Sequence, residues 1–285
     1  LQQDSAQSML FPGMPFDVNV LDAERQRITR LLQNKGYYKF NKDFLVYQAD
    51  TTRNTYLVDL TLKLLPYQRK KEDPPQKHRQ YLVNSVNFIA DSEMTPIRKG
   101  SFTGFDSLSY KGYNMYYKDK MFLRPKLLVD FNRIRPGEFY SERDVQNTYS
   151  ALGRLRMLKY SNIRFKEVNV SDSTKLDAYI VMSKGQNKSV SFEIEGTNSA
   201  GDLGAAASIS FQHRNVFKGS ETFTMKVRGA YEAITGLGQD YVNDNYTEYG
   251  VESSLNFPEF MFPFLSSDFK RKIKATSEVG LKFTS

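Results

Sequence analysis

The chain has 285 residues, a formal charge of +8, 21 Phe, 18 Tyr, two histidines and no cysteine. Its length leaves room for two or three domains, and the lack of cysteine excludes disulfides, thiolate metal sites and a cysteine nucleophile. His78 and His213 lie far apart, and no run of about 18 apolar residues exists to form a helical membrane span.

Basic charge with many rings invites a nucleic-acid reading. Here Lys and Arg are dispersed among acids, and the rings fall in strand-like runs, so no nucleic-acid partner is expected. An anionic lipid surface accounts for the charge equally well. The opening residues lack the basic start and apolar core of an export signal, as in a mature or trimmed chain.

Residues 1–15 are polar and then broken by Pro12, Gly13 and Pro15, which predicts a mobile or surface-draped arm. Asp22 can cap a helix whose buried stripe is Leu21, Ile28, Leu31 and Leu32, with Gly36 as its stop. Two strands are expected next, Phe44 to Gln48 and Tyr56 to Leu64, joined by a polar turn at Asp50 to Asn54. In the second, Tyr56, Val58, Leu60, Leu62 and Leu64 share one face. A helix laid on such a hairpin is a small α+β layer unit, over 16–66. Residues 67–80 are charged and contain Pro74 and Pro75, which reads as a solvated linker.

A strand over Tyr81 to Ala90 opens a second unit, 81–187. An insertion at 91–122 interrupts it with Gly100, Gly104 and Gly112 among Phe102, Phe105, Tyr110, Tyr113, Tyr116 and Tyr117. Packing over its own domain is expected rather than stacking on a ligand. Pro125 can start a helix carrying Leu127, Leu128 and Phe131, ended by Pro136-Gly137. Ser141 to Asp144 resembles a capping box before a helix with Val145, Tyr149, Leu152 and Leu155 inside. Strands at Asn162 to Val168 and Leu176 to Met182 close the unit, with Val181 leaving the outer face imperfectly wet. The β-α-α-β-β order recurs, and its first copy is cut short or irregular at the start.

From residue 188 the pattern becomes strict alternation. Val190, Phe192 and Ile194 alternate with Ser189, Ser191, Glu193 and Glu195. Further runs follow through Leu203 to Phe211, Phe223 to Ala233, Tyr249 to Phe257 and Ile273 to Phe283. Such lengths approach the roughly 9–11 residues of a tilted transmembrane strand, although a β-sandwich with one wet face alternates in the same way. Five strands cannot close a membrane barrel, which needs about eight, so 188–285 is expected to be its first part only.

Asp177 to Glu232 resembles the junction between the last POTRA domain and the barrel in the BamA/TamA outer-membrane assembly family. The matching residues are Phe192 to Ser199, Gly201 to Gly204, Arg214 to Glu221 and Arg228 to Glu232. Leu31 to Phe40 is similar to the helix end and Gly-Tyr-Tyr stop of a POTRA domain, and the long aromatic insertion resembles a TamA-like lipoprotein branch. The fold implied is α+β: two POTRA-like β-α-α-β-β domains, then the first antiparallel strands of a transmembrane β-barrel. The resemblance further implies a lipid anchor upstream of Leu1. Phe211, Tyr231 and Tyr249 become girdle candidates, and Glu193, Glu195, Lys226, Arg228, Lys272 and Lys274 would face the barrel interior.

The function implied is a non-enzymatic factor that binds client strands by β-augmentation and assists their insertion at a barrel seam. It needs no cofactor or metal. Its working groups would be backbone edges: Ser189, Val190, Ser191, Phe192, Glu193, Ile194 and Glu195 at the seam, and Ile163, Arg164, Phe165 and Lys166 on a POTRA strand. Partners implied are the outer-membrane bilayer, unfolded outer-membrane clients, and a TamB-like protein or accessory lipoproteins, with the first domains in the periplasm. The alternatives are a passive outer-membrane channel or secretion pore, and a hydrolase using carboxylates such as Asp172, Asp177, Glu193 and Glu195.

Overall fold

The computed structural model of the protein describes residues 8–52, 56–68, 72–90, 102–168, 174–199, 202–233, 245–261, 264 and 275–285. Expectations for 91–101, for the loop at 234–244 and for Asp172, Lys272, Ile273 and Lys274 lie outside these residues. The chain divides into two compact units. One holds Leu1–Asn87, Arg133–Thr148 and Arg164–Tyr179; the other holds Phe88–Asn132, Tyr149–Ile163 and Ile180–Ser285. The linker expected at 67–80 thus falls within the first unit, and the boundary expected at 188 within the second.

In the first unit, α1 spans Val18–Asn34. Its cap is Asp17, whose carboxylate accepts from the Asn19 amide at 2.8 Å, rather than Asp22. Asp22 lies one turn inside the helix and pairs with Lys42 at 3.0 Å and Arg25 at 3.2 Å. Gly36 ends the helix with a φ of +100°, and the Phe139 ring lies 3.1 Å from where a Cβ would sit, so only glycine fits. Of the expected arm, residues 8–15 are described, and two of them contact α1. Ser8 Oγ and the Met9 amide both donate to the buried Glu24 carboxylate at 3.1 Å, which Arg27 also grips at 2.7 Å. Those bonds, the Arg27 one first, hold Glu24 below its ordinary value of 4.5.

A 3-10 turn at Lys42–Phe44 leads into β1 (Leu45–Asp50), which pairs antiparallel with β2 (Asp59–Leu64). Leu45 packs with Ile28 and Phe40 under the helix. Its register partners on the same face are less covered: Leu64 is 51% exposed, Leu62 37% and Leu60 38%. One helix covers one strand, and no second helix from this unit's own opening segment lies over β2 among the described residues. The segment expected to be a solvated linker folds back instead. Tyr67 and Gln76 form a bridge, and His78 sits edge-on to Phe40 and Phe44 at 4.9 and 4.7 Å.

The remaining elements are β3 (Leu82–Ala90), the hairpin β4 (Asp106–Tyr110) and β5 (Tyr113–Tyr117), α2 (Pro125–Asp130), α3 (Glu142–Leu152), β6 (Leu158–Glu167) and β7 (Lys175–Lys184). They form one sheet in the order β4-β5-β3-β7-β6. Without the hairpin, this is the expected β-α-α-β-β order. Pro125 sits at the start of α2, and Ser141 Oγ accepts from the Asp144 amide at the start of α3. Leu176, Ala178, Ile180, Val181 and Met182 are all 0% exposed. Val181 is therefore not on a wet face, because β7 lies between β3 and β6 and is covered on both sides. In the insertion, Phe102 stacks on Tyr116 at 4.0 Å, so its rings satisfy one another.

Five strands follow as an antiparallel meander: β8 (Lys188–Ser199), β9 (Asp202–Arg214), β10 (Thr222–Ala233), β11 (Asn245–Phe257) and β12 (Ser277–Thr284). Their order is β12-β11-β10-β9-β8, so β8 and β12 are the edges and the sheet is open. No helix among the described residues is long and apolar enough to cross a membrane.

Leu152 is 0% exposed, whereas Leu31 is only half-buried on α1. Leu152→Ala should lower stability by about 2–5 kcal/mol in denaturant unfolding, and Leu31→Ala by clearly less. Equal losses would show that the helix faces are misassigned.

Candidate functional site

The sheet from β8 to β12 has two chemically unlike faces. Register pairs Val190 with Phe211, Phe192 with Ile209, and Ile194 with Ala207. The same rows continue through Met225 and Val227 to Val251, then Leu281 and Phe283. Paired residues share a face, so these side chains form one apolar surface across five strands. That surface is bare: Val190 is 66% exposed, Phe192 65%, Ile194 74%, Val227 41% and Leu281 78%. Tyr231 and Tyr249 lie on it toward the end distant from the β9–β10 turn.

The other face is charged and internally paired. Lys226 meets Glu193 at 3.1 Å, Arg228 meets Glu195 at 3.3 Å, and Lys282 meets Glu252 at 2.7 Å. Ser208 on the intervening strand also donates to Glu193, at 3.2 Å. These carboxylates are engaged as counter-ions. Asp177 is engaged too, accepting from Asn84 at 2.7 Å and Ser85 at 2.6 Å. The partners that engage all four carboxylates are cationic, hydroxyl or amide groups.

Ser189 to Glu195 lie together on β8, paired on one side only, by β9 over the whole of Lys188–Ser199. Ile163 to Lys166 lie on β6, the edge of the other sheet. The two groups are on separate sheets. Within the second group the backbone is not open throughout. The Tyr149 hydroxyl accepts from the Ile163 amide at 2.7 Å and donates to its carbonyl at 3.2 Å. Phe165 packs against Tyr140 at 5.1 Å and Tyr38 at 5.7 Å, while Arg164 and Lys166 are exposed. Next to it Glu167 holds Lys39 at 2.8 Å. Burial works to lower the Lys39 pKa, but the Glu167 and Tyr81 hydrogen bonds raise it overall.

A dense polar network forms at the turn between β9 and β10, within Arg214 to Glu221. Asn215, Lys218 and Ser220 there have φ of 73°, 60° and 58°, a conformation that costs side-chain-bearing residues energy. Hydrogen bonds offset the cost. The Glu221 carboxylate is 2% exposed and accepts from the Phe217 amide, the Gly219 amide and Arg124 Nη2, the last at 2.7 Å. A Cβ on Gly219 would lie 2.1 Å from both Arg124 Nη2 and Glu221 Oε1, so glycine is required by that ion pair. The Arg124 amide donates to Lys218 O, Asn215 Nδ2 to Phe122 O, and the Met157 amide to Ser220 Oγ. The turn is thereby fastened to the segments preceding α2 and β6. Just after β11, burial, and then the Asp130 carboxylate, push Glu259 above its ordinary 4.5, with Lys126 and Arg124 pulling against them. Nothing in local spacing signals Arg124, which is 97 residues from Glu221.

No protein-family profile and no curated protein sequence matches the chain. Among solved structures, BamA from Haemophilus ducreyi lacking POTRA domains 1–3 is similar over 100% of this chain and 48% of that one, at 13% identity and a TM-score of 0.48. CdiB from Acinetobacter baumannii is similar over 86% and 59%, at 10% identity and a TM-score of 0.32. POTRA1–3 of Omp85 from Anabaena is similar over 61% and 54%, at 12% identity and a TM-score of 0.29. The chain thus spans about half the length of the first of these. The scores are low, and the fold described above stands on the chain's own hydrogen bonding and packing.

Glu221→Ala leaves the Phe217 and Gly219 amides and Arg124 without their acceptor, and should cost about 3 kcal/mol in denaturant unfolding. It should also render the turn sensitive to limited proteolysis. Wild-type stability and resistance would show that the carboxylate does not hold the turn.

Proposed function

We propose that this chain is the POTRA-bearing and first-strand part of an outer-membrane factor that assembles or translocates other proteins. The observation that carries this reading is the five-strand surface with one bare apolar face and one ion-paired face. Two solvents are implied by it, hydrocarbon on one side and water on the other. The strands β8 to β11 have 12 or 13 residues, long enough to cross a bilayer when tilted. The α+β domains stand in the periplasm. The β4–β5 insertion supports a TamA-like over a BamA-like role, with a periplasm-spanning partner of the TamB kind or accessory lipoproteins.

The chemistry is non-covalent and no side chain acts as acid or base. An incoming client strand pairs with the free backbone groups of Ser189 to Glu195, and the apolar set Val190, Phe192 and Ile194 offers its side chains a lipid-facing surface. Augmentation gives affinity without sequence specificity, which suits unfolded clients of many sequences. A passive channel has the same two faces but holds its seam shut.

Two measurements test this. In the full-length protein in lipid vesicles, Val227→Arg should lose assembly by about 2–4 kcal/mol, whereas Lys226→Gln should assemble nearly normally. Equal assembly of the two would reverse the inside and outside faces. Separately, a disulfide from Ser191→Cys to the strand that closes the barrel should stop client insertion, and reduction should restore it. Full insertion with the seam locked would favour the passive channel.

A further inference from the structure

The edge strand β6 has part of its backbone already bonded by a side chain. Residues of β6 alternate in the direction of their backbone groups, and the Ile163 N–H and C=O point together toward one side of the strand. Both are met by one atom, the Tyr149 hydroxyl, which accepts from the amide at 2.7 Å and directs its single proton to the carbonyl at 3.2 Å, with Asn162 Oδ1 a second acceptor at 3.4 Å. An antiparallel neighbour bonds a residue in the same way, by exchanging one donor and one acceptor with it. A hydroxyl carries both roles. The side it occupies is the open one, since among the described residues β7 is the only strand paired with β6. Tyr149 comes from the last turn of α3. The Ile163 side chain is itself 8% exposed, which fixes the register of this part of β6 against the core. At the opposite margin the sheet is extended by its own hairpin, β4 and β5, which covers the outer side of β3.

We propose that Tyr149 is an edge guard, a specificity-determining residue that keeps an extended polypeptide from adding to β6 at Ile163. An entering strand must displace the hydroxyl, trading two satisfied bonds for two new ones and gaining nothing at that residue. Capture is thereby directed away from this edge, and toward the unguarded β8. This rests on the strand-capture reading above and refines it, since Ile163 to Lys166 were expected to be a capture edge themselves.

Tyr149→Phe keeps the ring and removes only the hydroxyl. In the full-length protein, hydrogen exchange at the Ile163 amide should quicken about five- to ten-fold. The probe for capture is a synthetic amphipathic β-strand peptide bearing one cysteine. Lys166→Cys on β6 should trap it severalfold better when combined with Tyr149→Phe than with Tyr149 intact. Ser191→Cys on β8 is the reference and should trap it equally in both backgrounds. Unchanged Ile163 exchange would overturn the guard, and so would faster exchange without any gain in trapping at Lys166→Cys. If Ser191→Cys traps normally in either case, strand capture stands and only the guard fails. Failure of Ser191→Cys to trap, alongside a gain at Lys166→Cys, would instead remove β8 as the capture edge and leave the guard supported.

Discussion

A β-sheet that does not close on itself leaves a row of backbone donors and acceptors along each margin, and this structure is arranged around how those rows are met. The sheet of the second α+β domain meets them from its own sequence, by adding the β4–β5 hairpin beside β3 and by the Tyr149 hydroxyl on Ile163. The β8–β12 sheet does neither. Its two outer strands, β8 and β12, each pair in unbroken register with one neighbour among the described residues. The two sheets therefore differ in how their margins are met among the described residues.

The second constraint is the β9–β10 turn. Three residues other than glycine there hold a left-handed backbone, and a nearly inaccessible carboxylate collects two amides and a guanidinium. Because Arg124 and Phe122 belong to the segment leading into α2, the position of β9 and β10 is tied to that segment by several bonds at once. No single one of these is strong. Together they make slippage of the turn require breaking a buried network, which is worth more than its pairwise parts.

Period-two alternation made the strands legible, and the face assignment along β8 to β11 follows from it directly. Glu193, Glu195, Lys226 and Arg228 share one face with each other because the register carries parity from strand to strand. Helix ends were less legible. Val18-Asn19-Val20 looks extended by propensity, which displaced the expected cap from Asp17 to Asp22. The Asp22–Lys42 ion pair, and the Arg25 guanidinium donating to Lys42 O, instead tie the first turns of α1 to the 3-10 turn. Contacts between distant residues left no trace in spacing at all: Lys39 with Glu167, Arg124 with Glu221, and Tyr149 reaching a strand that begins after its own helix has ended. Tyr149 fitted the apolar stripe of its helix, and a stripe cannot show that its outermost member ends in a hydroxyl aimed at a backbone.

The unguarded β8 margin carries one more consequence. In water an open edge is solvated, whereas in hydrocarbon each unpaired backbone group is costly, so on the membrane placement proposed above β8 would be met by another strand at rest. On that same reading a client would exchange with this strand, and the balance would turn on small differences in side-chain packing, because the backbone bonds lost and gained are alike. Val190, Phe192 and Ile194 are three apolar contacts on a strand of twelve residues. Across the interior pairs, Ile209 on Val227 and Val227 on Val251 are joined to ion pairs on the reverse face, so both faces resist separation. Glu193 and Glu195 find their counter-ions two strands away on β10, which anchors β8 to its own sheet and leaves the seam side without a charged tie from these residues. The pairing of charges thus favours parting at the seam over parting within the sheet.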